Sequence, residues 1–388
     1  MTADVLTVPI SPFQEGWINR LHLLKAGIIG LPNTGKSTLL NALTRTHKAE
    51  VANYPFCTIE PNIGVVSVPE DRLGPLASLV AKDKQIPATI EFVDIAGLVP
   101  GASQGEGLGN QFLGHIREVD AIIEVIRCYN DEEVIHHLGS IDPVRDIEIV
   151  STELILSDLQ SVERQMDRTI KRARGGDRES TEILNLLERL QPHLNAGQPA
   201  STLELHEEES AILRHLFLLT SKPVLYACNI AESDAVDPIS NAYVADVHQF
   251  ARQNGKSNQC VICGKLEEDL AYLSPEEATQ FLKELGVPSS GIDNLICATY
   301  SLLGLATFFT IGEDEVRAWS FTKGMTAPQC AGTVHTDFEK GFIKAEVVSY
   351  NELINTGSIL SAREKGRYRI EGKDYRFQDG DVAFFRFQ

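Results

Sequence analysis

The stretch Gly30-Leu-Pro-Asn-Thr-Gly35-Lys36-Ser37-Thr38 follows the apolar run Lys25-Ala-Gly-Ile-Ile29 and precedes Leu39-Leu-Asn-Ala-Leu43. This pattern predicts a short buried strand, a glycine-rich turn and a helix, the context that separates a phosphate-binding loop from a chance match. The glycines allow the backbone to curl so that consecutive N–H groups and the helix N-terminus face phosphate oxygens. The sequence therefore predicts a nucleoside-triphosphate site, the alternative being an ordinary strand-to-helix turn.

Within this loop, two side chains carry the expected chemistry. Lys36 is expected to reach the outer phosphates and to stabilise the negative charge that they bear during reaction. The Ser37 hydroxyl is expected to take one position on a magnesium ion. The residues predicted to contact the nucleotide are Asn33, Thr34, Gly35, Lys36, Ser37 and Thr38.

Residues 52–62 contain two prolines, which favour an exposed, irregular segment over a helix. A threonine in such a loop, roughly twenty residues after a phosphate loop, can close over the terminal phosphate. Thr58 is therefore predicted to supply a second hydroxyl ligand to magnesium. The alternative is a packed loop in which this threonine is incidental.

A β-branched strand, residues 89–94, ends in Asp94 and is followed three residues later by Gly97. In nucleotide hydrolases an acid at this place contacts the magnesium shell through water, and the glycine N–H binds the terminal phosphate. The sequence thus predicts Asp94 as part of the metal site and Gly97 as a phosphate-stabilising group. An isolated Asp-x-x-Gly is common, so the prediction depends on the phosphate loop upstream.

Leu98 occupies the place where small GTPases commonly carry a glutamine that orients the attacking water. A leucine side chain can neither donate nor accept a hydrogen bond. Intrinsic hydrolysis is therefore expected to be slow, unless another group places the water. Polar candidates nearby are Gln104, Glu106, His115 and Glu124, and the sequence does not choose among them.

A predicted buried strand, residues 223–228, leads into Asn229-Ile-Ala-Glu232, where a guanine-binding protein would carry Asn-Lys-x-Asp. Ile230 lacks the lysine charge, and Glu232 has the carboxylate on a longer side chain. A carboxylate set for the guanine donors is left unpaired against adenine, and such mismatches discriminate by up to about 10⁴. The altered tetrad favours ATP over GTP and predicts Asn229, Ile230 and Glu232 as base-binding residues.

Cys260-Val-Ile-Cys263 has the spacing of half a zinc or redox site. No second Cys or His pair stands at zinc-site spacing in the sequence. We therefore expect Cys263-Gly264-Lys265 to form the loop that flanks the base.

Between residues 142 and 220 the pattern changes to long helices, interrupted at Gly175-Gly176. A helix over 146–174 would be about 43 Å long, so an antiparallel hairpin is expected. Cations concentrate near its tip at Arg164, Arg168, Lys171, Arg172, Arg174 and Arg178. We expect residues such as Arg168, Lys171 and Arg172 to make an RNA or ribosomal contact, the alternative being a solvated helix face.

The 388-residue chain is long enough for two or three domains, and its content of 43 % hydrophobic and 23 % charged residues is that of a globular protein. A net charge of −19 argues against general polyanion binding. Seven scattered cysteines favour a reducing compartment, so a cytoplasmic location is expected. The sequence contains no secretory signal and no 18-residue apolar stretch, and no membrane role is expected.

From about residue 304 onward, apolar and polar residues alternate in several short segments with Gly and Asp at the turns. This pattern predicts a small mixed sheet of about 85 residues with a helical piece near residues 337–341. The segment contains no evident catalytic constellation, so its expected role is binding or docking.

Together these residues resemble the Obg-related ATPases of the YchF and Obg-like ATPase family, from about Leu23 to Phe387. The strings that carry the resemblance are Gly30-Leu-Pro-Asn-Thr-Gly-Lys-Ser-Thr, Tyr54-Pro-Phe-Cys-Thr-Ile-Glu-Pro-Asn, Asp94-Ile-Ala-Gly-Leu-Val-Pro-Gly-Ala-Ser-Gln-Gly-Glu-Gly-Leu-Gly-Asn, Asn229-Ile-Ala-Glu and His335-Thr-Asp-Phe-Glu-Lys-Gly-Phe. Two positions depart from the family: Thr34 stands where valine is usual, and Glu124 resembles the place of a histidine proposed to assist hydrolysis.

The resemblance implies an α/β fold with a P-loop GTPase-like doubly wound sheet, an inserted antiparallel helical hairpin and a C-terminal ubiquitin-like TGS domain of the β-grasp type. It also implies ATP hydrolysis, association with ribosomes, magnesium held by Ser37 and Thr58, and adenine met by the Ile230 backbone. The expected domains are an extension over 1–21, a nucleotide-binding domain over 22–142 and 221–303, a helical insertion over 143–220 and a TGS domain over 304–388. We recognise no counterpart of this extension in the family.

Overall fold

The structure is a computed structural model that describes residues 24–51, 63–95, 108–131, 134, 136, 138–206, 208–254 and 258–388. The described chain divides into two compact units. The large unit comprises Leu24–Val66 and Ile90–Leu303, and the small unit contains Ser67–Thr89 and Gly304–Gln388. No helix in the described part of the chain is long and apolar enough to cross a membrane.

The strands are numbered in chain order. They are β1 Lys25–Ile29, β2 Ile63–Ser67, β3 Lys84–Ile86, β4 Thr89–Asp94, β5 Ala121–Arg127, β6 Val224–Asn229, β7 Gln259–Ile262, β8 Leu305–Ile311, β9 Glu315–Thr322, β10 Phe342–Ser349, β11 Arg369–Glu371 and β12 Asp381–Phe387.

The helices follow the same convention. They are α1 Lys36–Val51, α2 Leu73–Leu79, α3 Leu108–Arg117, α4 Pro143–Arg174, α5 Arg178–Asn195, α6 Glu209–His215, α7 Ala242–Gln253, α8 Gly264–Leu270, α9 Pro275–Leu285, α10 Gly291–Leu302, α11 Ala327–Val334, α12 Thr336–Lys340, α13 Tyr350–Thr356 and α14 Ile359–Glu364.

The sheet of the large unit has the strand order β2-β4-β1-β5-β6-β7. The pairs β1–β4, β1–β5, β5–β6 and β6–β7 are all parallel. Apolar clusters built around Ile122 and around Ile126 bury these strands among helices, as expected for parallel strands rich in Val and Ile. The carboxyl ends of parallel strands meet at one edge, where α/β folds bind ligands. Asp94 ends β4 and Asn229 ends β6, so both lie at this edge.

The expected helical insertion is present as α4 and α5, which pack against each other. The first helix begins at Pro143, earlier than residue 146, because the Asp142 side chain caps it by accepting from the Arg145 N–H at 3.1 Å. The buried carboxylate of Asp158 accepts from the backbone N–H groups of Leu219 and Thr220, both at 2.8 Å. These bonds fix the point at which the chain returns to β6.

The small unit contains a mixed sheet with the order β11-β10-β12-β8-β9-β3. Aromatic residues including Phe308, Phe321 and Phe377 form its core. Residues 67–89, which the sequence assigned to the nucleotide-binding domain, group here with 304–388. The reason is that β3 pairs in parallel with β9, and the Arg72 guanidinium donates to Asp379 at 2.8 Å.

Candidate nucleotide-binding site

The predicted strand, turn and helix around the phosphate loop are confirmed by β1, residues 30–35 and α1. Gly30, Asn33 and Gly35 adopt positive φ angles of 148°, 63° and 96°. A Cβ atom on Gly30 would lie 2.5 Å from the Val125 carbonyl oxygen, and one on Gly35 would lie 2.3 Å from the Asn229 amide nitrogen. Glycine is therefore required at both positions, because a Cβ atom would clash with these neighbouring atoms and because both φ angles are positive.

Lys36 is the first residue of α1, and its side chain is buried with a relative exposure of 8 %. Its ammonium donates to the Leu31 carbonyl oxygen at 2.6 Å and so lies across the loop. Burial lowers the pKa of Lys36 to about 8, although the nearby Asp94 carboxylate opposes this shift. A cation held inside a curled backbone in this way is a suitable partner for phosphate oxygens.

Thr34 is buried in the same loop with a relative exposure of 2 %. Its hydroxyl donates to the Leu31 carbonyl oxygen at 3.1 Å, so this carbonyl accepts from both Thr34 and Lys36. Valine, which the family resemblance leads us to expect here, could not form this bond. The departure at Thr34 thus adds a second donor to one carbonyl of the phosphate loop.

Ser37 and Asp94 form the described part of the predicted metal site. The Ser37 hydroxyl donates to Asp94 Oδ2 at 3.4 Å, and Asp94 Oδ1 is buried without a hydrogen-bond partner among the described residues. A buried carboxylate oxygen with no partner beside a serine hydroxyl is a donor set that suits a hard cation such as magnesium. These two residues therefore fit the ion that the sequence predicts.

Two further predicted groups, the Thr58 hydroxyl and the Gly97 N–H, lie outside the described residues, as do Gln104 and Glu106. Of the other candidates for placing water, His115 is exposed on α3. Glu124 is buried on β5 in register with Ile29. Neither geometry selects a water-positioning group.

Asn229 connects the two halves of the site. Its amide nitrogen donates to the Thr34 carbonyl oxygen at 2.9 Å, and its amide oxygen accepts from the Gly264 N–H at 3.0 Å. This buried side chain therefore fixes the phosphate loop to the start of α8. The sequence predicted Asn229 as a base-binding residue, and it contained no signal for this role in joining the phosphate loop to α8.

Near the end of β6, the Ile230 N–H donates to the Ile262 carbonyl oxygen at 2.9 Å, which ties the predicted base-binding segment to the end of β7. Glu232 and Lys265 form an ion pair of 2.9 Å between exposed side chains. The Lys265 ammonium donates a hydrogen bond to the Glu232 carboxylate, and this bond raises the pKa of Lys265. Instead of the expected loop, residues 264–270 form α8, which begins directly after Cys263.

The six cations near the tip of the hairpin are all exposed. Arg178 forms an ion pair with Glu182 at 3.1 Å, and the Arg164 guanidinium donates to the Gln160 carbonyl at 3.0 Å. Arg168, Lys171 and Arg172 form no ion pair within 4.0 Å in the described part of the chain. The structure therefore presents three solvent-facing charges where the sequence predicted an RNA contact.

Two family models match the chain. The model described as "50S ribosome-binding GTPase" matches residues 25–170. The model named YchF-GTPase_C and described as "Protein of unknown function (DUF933)" matches residues 305–388. The first match covers the phosphate loop, and the second covers the C-terminal segment of the small unit.

Relatives match nearly the whole length of this chain. The ribosome-binding ATPase YchF of Bacillus subtilis (strain 168) is 50 % identical over 94 % of this chain and 99 % of the relative. The ribosome-binding ATPase YchF of Haemophilus influenzae is 48 % identical over the same shares. A solved structure, the Schizosaccharomyces pombe YchF GTPase, is 37 % identical with a TM-score of 0.84, covering 94 % of this chain and 98 % of that one. The chain belongs to the YchF family.

Proposed function

We propose that this protein is a magnesium-dependent ATP hydrolase that associates with ribosomes in the cytoplasm. The observation that carries the proposal is the buried ammonium of Lys36, held inside a backbone curl with positive φ at Gly30, Asn33 and Gly35. Such a curl presents main-chain N–H groups and one cation to a phosphate chain. The bacterial relatives are named ATPases, which supports hydrolysis as the outcome of binding.

In the proposed mechanism, Lys36 exchanges its bond to the Leu31 carbonyl for one to the outer phosphates. Water attacks the terminal phosphorus in line while the bond from this phosphorus to the bridging oxygen of ADP breaks, and the products are ADP, inorganic phosphate and a proton. Lys36 and the loop N–H groups stabilise the charge on the phosphoryl oxygens. Ser37 and Asp94 would hold magnesium together with Thr58, while Gly97 would bind the terminal phosphate through its N–H. Magnesium, when bound, neutralises phosphate charge and orients the phosphates.

The choice of ATP rests on the base end of the site. The Ile230 carbonyl can accept from the adenine 6-amino group, and Asn229 keeps one further amide hydrogen for the purine. The Glu232 carboxylate supports GTP as the second candidate, and the yeast relative is named a GTPase. The Glu232 carboxylate is paired with Lys265, and no lysine follows Asn229 in the sequence. ATP is therefore the better candidate.

Titration with ATP and GTP, with and without magnesium, tests this proposal. Purified protein is expected to bind and hydrolyse ATP in preference to GTP, and hydrolysis should stop when magnesium is removed. A clear preference for GTP would refute the assignment of the base end. Full biological complementation by a variant that binds ATP without hydrolysing it would instead favour a binding protein in which turnover is incidental.

We further propose that ATP acts on the segments around Thr58 and Leu98, which lie outside the described residues, and so regulates docking on the ribosome. The two bacterial relatives are named ribosome-binding ATPases, and the exposed cations of the hairpin offer a contact for RNA phosphates. The small unit would act as the TGS domain, a docking module, since no catalytic group has been assigned to it. Nucleotide state would then act as a switch between docked and free protein.

Reversing the charges of Arg168, Lys171 and Arg172 to Glu should lower co-sedimentation with ribosomes by at least tenfold at moderate salt, while ATP hydrolysis stays unchanged. Removing three phosphate contacts should also flatten the dependence of binding on salt concentration. The matched control reverses three exposed cations elsewhere in the large unit, Arg214, Arg252 and Lys283. Equal losses in both triple variants would mean that only net charge matters.

A further inference from the structure

Glu232 stands where a guanine-binding protein carries an aspartate, and its carboxylate already forms an ion pair with a lysine. Glu232 begins the 3-10 turn after β6, and Lys265 lies in the first turn of α8. Their charged groups are 2.9 Å apart. The ion pair therefore joins the two segments that border the proposed position of the purine.

Both members of this pair have fixed backbones, although their side chains are exposed. The Ile230 N–H bonds to Ile262, which holds the segment before Glu232 to the end of β7. The Gly264 N–H bonds to the Asn229 side chain, which holds the residue before Lys265. These two bonds anchor the main chain just before Glu232 and just before Lys265. The two side chains can therefore form their ion pair without a large movement of the backbone.

The pairing changes what the carboxylate can do for a purine. Guanine offers two donors, N1–H and the 2-amino group, and needs a carboxylate that can accept both. Adenine offers an acceptor at N1, so an unpaired carboxylate there would be penalised. When Lys265 pairs with Glu232, its ammonium takes up part of the hydrogen-bonding capacity of the carboxylate and balances its charge. The carboxylate then binds the guanine donors less well, and it no longer stands unpaired when adenine is bound.

We propose that Lys265 is a specificity-determining residue that selects ATP over GTP by pairing with Glu232. The proposal rests on the function proposed above and deepens it, because it assigns purine choice to a residue outside the tetrad. The pair is not explained by stability, since ion pairs between exposed side chains contribute little. A bound purine would exclude water from the pair and so strengthen it.

The test measures dissociation constants for Mg-ATP and Mg-GTP by titration of the full chain. Lys265→Met keeps most of the aliphatic stem and removes the charge. We expect the preference for ATP to fall about tenfold, mainly through tighter GTP binding, the size of one hydrogen bond to a charged acceptor. Lys265→Arg should keep the preference because it keeps the pair. Adding Glu232→Gln to Lys265→Met should abolish the gain for GTP, because no carboxylate remains to accept guanine.

The matched control is Lys283→Met, which removes an exposed lysine of α9, a helix that contains neither Glu232 nor Lys265. An unchanged ratio of ATP to GTP affinity in Lys265→Met, with both nucleotides still bound, would overturn the inference and leave the proposed function intact. A wild-type protein that binds neither nucleotide would overturn both. The same ratio change in Lys283→Met would reduce the effect to net charge and also overturn the inference.

Discussion

The phosphate end and the base end of the candidate site are built from different kinds of groups. At the phosphate end, Lys36 and Thr34 are buried and share one backbone acceptor. At the base end, Glu232 and Lys265 are exposed and meet through a single ion pair. In the proposed function, Lys36 and Thr34 would act on the phosphates that all nucleotides share, whereas the exposed pair would face the purine that distinguishes them. Changes at the phosphate end should therefore weaken ATP and GTP alike.

The largest expected effect is that of Lys36→Ala. Removing the ammonium takes away the side-chain cation of the loop, so hydrolysis should fall at least 100-fold, the loss found when one stabilising group for transition-state charge is deleted. Single-turnover hydrolysis measures the chemical step, and titration measures binding. Both nucleotides should lose affinity by similar factors.

The control for this change is Lys365→Ala, which removes an exposed lysine of the small unit and should leave turnover unchanged. Hydrolysis at the wild-type rate in Lys36→Ala would refute the assignment of the phosphate loop. A loss confined to ATP would contradict the division between the two ends.

The next largest effect is expected from Asn229→Ala, which removes the side chain that connects the phosphate end of the site to the base end. Its removal breaks the bonds to the Thr34 carbonyl and the Gly264 N–H, both buried. Leaving these groups unpaired should weaken binding of both nucleotides about tenfold to 100-fold. Asn351→Ala, an exposed change on α13, is the control, and thermal melting separates lost binding from lost folding. Full affinity in a folded Asn229→Ala protein would mean that the connection plays no part in binding.

A pH titration tests the buried cation directly. The free protein has a Lys36 pKa of about 8, and only the ammonium form attracts phosphates. Below pH 8 most molecules carry this charge, whereas above pH 8 binding must first take up a proton, so affinity falls as pH rises. The dissociation constant of ATP should be about tenfold higher at pH 9 than at pH 7.

Lys36→Arg provides the comparison for that titration, because arginine keeps its proton throughout this range. Its affinity should be lower overall and independent of pH. A wild-type affinity that is equally flat between pH 7 and pH 9 would contradict a titrating Lys36. Because ATP and GTP share the phosphates that Lys36 would contact, the affinity for GTP should also fall between pH 7 and pH 9.

The continuous parts of the site were predictable from sequence, as was the grouping of Ser37 with Asp94, whereas the side-chain contacts at the base end were not. Strand β1, the curled loop and α1 are continuous in the chain, so glycine spacing and apolar periodicity were enough. The ion pair of Glu232 with Lys265 depends on β6 pairing with β7, for which no local pattern exists. The roles of Thr58 and Gly97 stay predictions, since both lie outside the described residues.

The same reasoning explains the position of residues 67–89. Strand β3 contains only Lys84, Gln85 and Ile86, too short a run for alternation to be recognised. It joins the small unit through β9, far away in sequence, and through the bond of Arg72 to Asp379. The sheet of residues 304–388 was predicted from its alternating segments, whereas the strand contributed from outside that range was not.

The smallest expected effect is that of Thr34→Val, which isolates one hydrogen bond at the phosphate end. In the free protein the Leu31 carbonyl accepts from both Thr34 and Lys36, so valine leaves it one donor. When Lys36 turns to the phosphates, the wild-type carbonyl keeps the threonine hydroxyl, but the variant carbonyl has no donor left from these two side chains. The loss therefore falls on the bound state, at about 1 kcal/mol or fivefold in affinity for ATP and GTP alike. Thr34→Ser keeps the hydroxyl and should restore affinity, while an unchanged dissociation constant in Thr34→Val would show that Lys36 keeps its bond to Leu31 when nucleotide binds.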